Sequence, residues 1–127
     1  MNQNATPAAI ARAFTEAWTS HDMDTAARYL ADDVVFDGPM NHTTGKQAYV
    51  EGLGRFASVV TGVRIIAALG DDTQALILYD LATAGGTQTY AEHLTFRDGK
   101  IATDRLIFDT YPARAAQASQ TPPAPTE

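Results

Sequence analysis

Apolar positions recur at helical spacing in the first half of the chain and alternate with polar ones in the second. Ile10, Phe14, Ala17 and Trp18 fall on one face of a predicted helix over residues 8–20. Thr6-Pro7 starts it, because a Thr side chain can satisfy free amides at a helix start and Pro is preset for the first helical position. Asp22 caps a predicted short second helix, Met23 to Leu30, with Ala26, Tyr29 and Leu30 on its buried side. The β-branched and aromatic run Val34-Val35-Phe36-Asp37 predicts a short strand that Gly38-Pro39 stops. Met40 to Gly45 is polar and loop-like. Helical spacing returns through Tyr49, Val50, Leu53 and Phe56, predicting a third helix over Lys46 to Ser58 despite Gly52 and Gly54.

From Val59 the rhythm becomes one of strands and turns. Val63 to Leu69, Gln74 to Thr83, Gln88 to Arg97 and Lys100 to Tyr111 are separated by Gly70-Asp71-Asp72, Ala84-Gly85-Gly86 and Asp98-Gly99, which fits four successive antiparallel strands. Two helices, a strand, a helix and four strands suggest an α+β fold whose curved sheet wraps around the helices. Residues 1–111 are expected to form one domain. Residues 112–127 mix Pro, Ala, Gln, Ser and Thr without apolar periodicity, and a disordered tail is expected there.

Composition narrows the partners. A chain of 127 residues, 45% apolar and 19% charged, holds one globular domain with a real core. Nine Lys and Arg against fifteen Asp and Glu give a net charge of -6, so neither nucleic acid nor an anionic membrane is an expected partner. Absence of cysteine removes disulfide and thiolate chemistry. No apolar run approaches the ~18 residues of a membrane helix, and Met1 to Thr6 lacks the start of a signal peptide; a cytoplasmic protein is the expectation. Asp32-Asp33 and Asp71-Asp72 read as turn or cap clusters without metal-ligand spacing, so no metal is expected. Without a phosphate-binding Gly-rich loop, no cofactor is expected either.

Two carboxylates break an apolar pattern. In Gln88 to Arg97, Tyr90, Leu94 and Phe96 share a face with Glu92, and a buried unpaired carboxylate is costly. Asp80 interrupts the apolar strand Leu76 to Ala82 in the same way. An odd number of residues in the intervening hairpin loop puts Asp80 opposite Glu92, and an even number puts them on opposite faces; the sequence admits both. Together in an apolar cavity, one carboxyl would hold its proton and the other would not, a pair suited to moving a proton between two atoms. The plainer alternative pairs Glu92 with Arg105 or Arg97. Tyr90 could add a phenolic hydrogen bond beside Glu92. His42 lies on a loop, His93 points away from Glu92, and His21 sits in a turn. Phe14, Trp18, Phe36, Phe56 and Phe108 read first as core and second as the wall of an apolar pocket, to which Met40, Leu78 and Leu106 are added.

Ala17-Trp18-Thr19-Ser20-His21-Asp22, Tyr29 to Phe36, Gly45-Lys46 opening a helix, and Phe96-Arg97-Asp98-Gly99-Lys100-Ile101 running to Phe108-Asp109 resemble the nuclear transport factor 2-like superfamily. That group includes steroid delta-isomerases, limonene epoxide hydrolases and small polyketide cyclases. The resemblance, over about residues 6–112, implies a cone-shaped α+β barrel: three N-terminal helices packed on a strongly curved, mostly antiparallel sheet, with an apolar pocket and often a homodimer. The isomerase base before a Pro is absent, since Gly38 precedes Pro39. Phe14 stands for the isomerases' oxyanion-binding Tyr, and Glu92 for their protonated Asp. Asp80 matches the general acid of the epoxide hydrolases, whose Arg becomes Leu78, whose water-activating Asp becomes Leu106, and whose water-holding Tyr and Asn become Phe36 and Gly38. The expectation is an acid–base isomerase or cyclase acting on a small apolar molecule through Glu92 and Asp80. A non-catalytic ligand-binding or dimeric interaction module and an epoxide-hydrolase-like enzyme with an altered catalytic set are the alternatives.

Overall fold

The computed structural model describes residues 5–120, with side chains to 117. Helix α1 (Pro7–Thr19) begins where the Thr6 hydroxyl accepts from the Ala9 amide at 3.1 Å, with Pro7 in its first turn. Asp22 caps α2 (Met23–Arg28) by accepting from the Thr25 amide at 3.1 Å. Strands β1 (Leu30–Asp37) and β2 (His42–Thr44) follow, then α3 (Lys46–Ala57). Next come β3 (Val60–Gly70), β4 (Gln74–Thr83), β5 (Gly86–Arg97), β6 (Lys100–Ile107) and α4 (Tyr111–Gln120). This is the expected α+β fold, with a strongly curved sheet that does not close.

The six strands lie in the order β2-β1-β6-β5-β4-β3, and only the β1–β6 pair is parallel. Register shifts between Val60 and Gly62, Ile65 and Ala67, and Thr95 and Phe96 bend the strands, since an unmatched residue raises local twist. The concave face receives the helices: α1 lies on β3 and β4, and α3 on β1. Phe14, Trp18, Leu30, Val34, Tyr79, Leu81, Leu94 and Ile101 belong to the resulting buried cluster.

Three differences from the sequence expectations have physical causes. Met40 to Gly45 is not all loop: His42–Thr44 pairs with Val35–Asp37, extending the sheet by one edge strand. The last strand stops at Ile107 rather than Tyr111. Beyond it a helix replaces the disordered tail expected from residue 112 as far as Gln120; residues 121–127 lie outside the described residues. Ala113, Ala115 and Ala116 favour a helix without needing an apolar stripe, Pro112 sits where a helix tolerates it, and Asp109 Oδ1 accepts from the Tyr111 amide at 2.9 Å.

Candidate functional site

Strand pleating decides which side chains enter the concave face. Thr83 pairs with Gly86, so the β4–β5 turn holds two residues, Ala84-Gly85, and Gly86 continues at a φ of 124° that suits glycine. This even count pairs Tyr79 with Tyr90, Ile77 with Glu92 and Asp80 with Thr89. Tyr90 and Glu92 therefore point inward with Tyr79, whereas Asp80 points outward. Asp80 accepts from the Thr89 hydroxyl at 2.6 Å and lies 3.5 Å from the largely exposed Arg64 guanidinium. The expected Asp80–Glu92 pair is thus corrected to a pair across the next strand boundary.

On β6, Asp104 and Leu106 follow the inward alternation, and Phe108 continues it just past the end of the strand. Leu106 is the direct neighbour of Glu92, and Asp104, opposite Leu94, is its diagonal neighbour within reach of a long side chain. Both carboxyls are buried, Glu92 at 4% exposure and Asp104 at 1%. Tyr79 donates its hydroxyl proton to Glu92 Oε1 at 2.7 Å. Tyr49, on the buried side of α3, donates to Asp104 Oδ2. The four groups form a chain: Tyr79, Glu92, Asp104, Tyr49.

Asp104 Oδ1 receives no hydrogen bond from any described donor, yet the Glu92 carboxyl lies within hydrogen-bonding reach. Two carboxylates cannot satisfy each other; a proton between them can. Burial, then the Glu92 charge, then the bond to Glu92 push the Asp104 pKa well above its ordinary value, outweighing the lowering effect of Tyr49. This favours the protonated form of Asp104, the form that can donate to the Glu92 carboxyl. Burial and the neighbouring carboxyls also push Tyr49 and Tyr79 well above their ordinary range, so both remain donors.

Glu92 faces a cavity of about 300 Å³ between the helices and the sheet. Trp18, Phe36, Met40, Phe56, Tyr90, Leu106 and Phe108 line it, as the sequence suggested. Tyr49, Tyr79, Asn41, Thr43 and Gln88 add polar atoms, and Ala113 brings α4 to the rim. Phe14 and Leu78 are not in this wall. Phe14 is fully buried behind Tyr49, its ring centroid 6.2 Å away, because its turn of α1 faces the core. Leu78 shares the outward face of β4 with Asp80 and is 37% exposed. The Tyr90 hydroxyl has no hydrogen bond among the described residues, and burial raises its pKa, so it stands as a free donor. Trp18 Nε1 and Thr43 Oγ1 are likewise buried without a partner among those residues.

Among the described residues, no Lys, Arg or His lines the cavity. Arg97 pairs instead with Asp33 at 2.6 Å, and Arg105 lies on the solvent side of β6, so the structural pairing of Glu92 with either arginine is not formed. His42 stands at the surface 3.8 Å from Asp37, and His93 points away, bonded to Gln74 at 2.8 Å. Among the described residues, no three His, Cys, Asp or Glu side chains are placed to hold a metal ion. Asp104, Tyr49 and Tyr79 are the partners that sequence reasoning missed. Asp104 carried the same signal as Glu92, a charge alternating with Leu106 and Phe108, but the adjacent Arg105 masked it.

The family model of the SnoaL-like domain matches residues 11–103. A solved protein from Kribbella flavida is 36% identical, with 87% of this chain and 93% of that one covered at a TM-score of 0.83. An LEH-like epoxide hydrolase of M. tuberculosis is 22% identical, covering 87% of each chain at a TM-score of 0.69. A Shewanella putrefaciens protein described as a candidate SnoaL-like polyketide cyclase is 14% identical, covering 88% of this chain and 85% of its own at a TM-score of 0.71. At those identities the last two establish a shared fold. No curated protein matches the chain.

Proposed function

Since the chain belongs to the SnoaL-like domain family, within the nuclear transport factor 2-like superfamily, we propose that it is an acid–base enzyme of the isomerase or cyclase type acting on a small, largely apolar molecule. The observation carrying this reading is the Glu92 carboxyl, exposed to an apolar cavity and backed by Asp104. Glu92 takes a proton from the bound compound. Tyr79 and the protonated Asp104 hold the carboxylate in place, and the protonated Glu92 then returns the proton to a different atom. Tyr90, two residues away on the same face, supplies a hydrogen bond to a substrate oxygen as charge develops there. Asp104 does not line the cavity and acts as a positioning residue.

A panel of enones, lactones and epoxides, followed for turnover with the wild type, Glu92→Gln and Asp80→Asn, tests this. The expected result is one class turned over by the wild type and Asp80→Asn, with kcat reduced roughly 100-fold or more in Glu92→Gln. Turnover undiminished in Glu92→Gln overturns it. A non-catalytic binding module is the second reading, favoured by the bonds that engage Glu92 on two sides; it predicts saturable binding of these compounds without turnover by any variant. We further propose pairing of two copies through the outer sheet face, where Leu69 lies opposite the exposed Leu76 and Ile107 is 56% exposed. Light scattering behind a sizing column reads that directly.

A further inference from the structure

Glu92, buried with Asp104 behind it, faces a cavity that no Lys, Arg or His lines among the described residues. Buried charges are ordinarily matched by a counter-charge or a metal. Three cations of the surrounding elements are paired elsewhere, Arg97 with Asp33 at 2.6 Å, Arg64 with Asp80 at 3.5 Å and Lys46 with Asp32 at 3.4 Å, and Arg105 and Arg55 are exposed outside the lining. An inorganic cation would want several oxygen ligands, and no such group is assembled among the described residues.

Part of the wall is a run of touching aromatic rings. Trp18 meets Phe56 at 5.7 Å between centroids, Phe56 meets Tyr90 at 6.1 Å, Tyr90 meets Phe108 at 5.0 Å, and Tyr79 stacks on Tyr90 at 5.8 Å. Ring faces attract cations, and they do so most strongly where water is excluded. A single carboxylate among aromatic faces is a complement to one soft, weakly hydrated positive charge. An anion, by contrast, meets a chain of net charge -6 and a cavity without a cation.

We propose that the cavity binds an organic cation, a quaternary or protonated amine on an apolar body, with its charged centre between the Tyr90 and Phe108 rings and the Glu92 carboxylate. This concerns what the cavity holds and stands apart from turnover, although both readings use Glu92. The probes are benzyltrimethylammonium and its neutral carbon isostere, neopentylbenzene, followed through the fluorescence of Trp18, the single tryptophan. The expected result is saturable cation binding by the wild type, weakened about tenfold or more in Glu92→Gln, with neopentylbenzene affinity altered less than about twofold. Asp80→Asn removes the same charge from the outer face and is expected to leave both affinities unchanged. If Glu92→Gln fails to fold, Tyr90→Leu serves, with the cation weakened and the neutral probe retained. The inference is overturned by cation affinity that survives both Glu92→Gln and Tyr90→Leu, or by no cation binding at millimolar concentration. Cation binding by the wild type that is lost in Glu92→Gln, in a protein that turns nothing over, would uphold it while counting against the acid–base reading. Turnover of a neutral enone with the cation ignored would do the reverse.

Discussion

Replacing Asp104 with Asn isolates the shared proton. Asn is close in shape to a protonated Asp: its amide donates toward Glu92 and its oxygen accepts from Tyr49, so both bonds survive and at pH 5 the variant should lie within about 1 kcal/mol of the wild type. The pH dependence must differ. Burial and the neighbouring Glu92 raise the folded pKa of Asp104 above the ordinary carboxyl value of 3.8, so its contribution is fully present below that value and is lost as pH rises through the folded pKa. Across that interval the native state holds one proton that the unfolded chain has released. Stability therefore falls by about 1.4 kcal/mol per pH unit in the wild type relative to Asp104→Asn, or about 5 °C in Tm per unit for a chain of this size. Asp22, Asp33 and Asp71 have lowered pKa values and contribute with the opposite sign, but their effect is complete above about pH 5. The histidines are common to both proteins and cancel in the difference. Urea unfolding from pH 5 to 8, followed by Trp18 fluorescence, gives the comparison, with an unchanged m-value confirming that only stability moved. Two curves that run parallel across this range would refute the shared proton.

Three further substitutions probe the surroundings. Tyr79→Phe removes the hydroxyl that donates to buried Glu92 and should cost about 1–3 kcal/mol in denaturant unfolding, more than removal of an exposed hydroxyl. Gly70→Ala drives a methyl into the Gln74 carbonyl across the β3–β4 turn, and a stability loss of about 1–3 kcal/mol is expected in the same assay. Gly52→Ala, on the cavity side of α3, meets nothing closer than the Arg55 guanidinium at 3.8 Å and should raise stability by about 0.5–1 kcal/mol through helix propensity alone; calorimetry checks the sign.

Features governed by local periodicity were readable from the chain. Ile10, Phe14, Ala17 and Trp18 located α1, the turns at Gly70 and Gly99 located the hairpins, and Glu92 stood out as a charge among apolar neighbours. Asp80 gave the same local signal as Glu92 and ended on the opposite face. Its fate rested on whether Gly86 belonged to the turn or to the strand, and Ala84-Gly85-Gly86 suits either count. The Glu92–Asp104 contact depends on the register of β5 with β6, and that register includes an irregularity between Thr95 and Phe96. Phe14 and Trp18 look alike on a helical wheel; only the depth of each turn of α1 against α3 separates the core ring from the cavity ring. Helix α4 follows from propensity and a cap at Asp109, signals that a search for an apolar stripe passes over.

Strand β6 occupies a central place in the sheet although it is the last strand in the chain. Without it, β1–β2 and β3–β4–β5 would be separate ribbons joined through α3, and the parallel β1–β6 pair sets Phe36 against Asp104 across a long stretch of chain. Along its other edge the same strand pairs with β5 and sets Asp104 diagonal to Glu92. The strand that joins the two ribbons therefore also carries the second carboxyl. A chain caught short of it has neither a continuous sheet nor a proton to share, so proton uptake during refolding above pH 5 should keep time with insertion of the final strand.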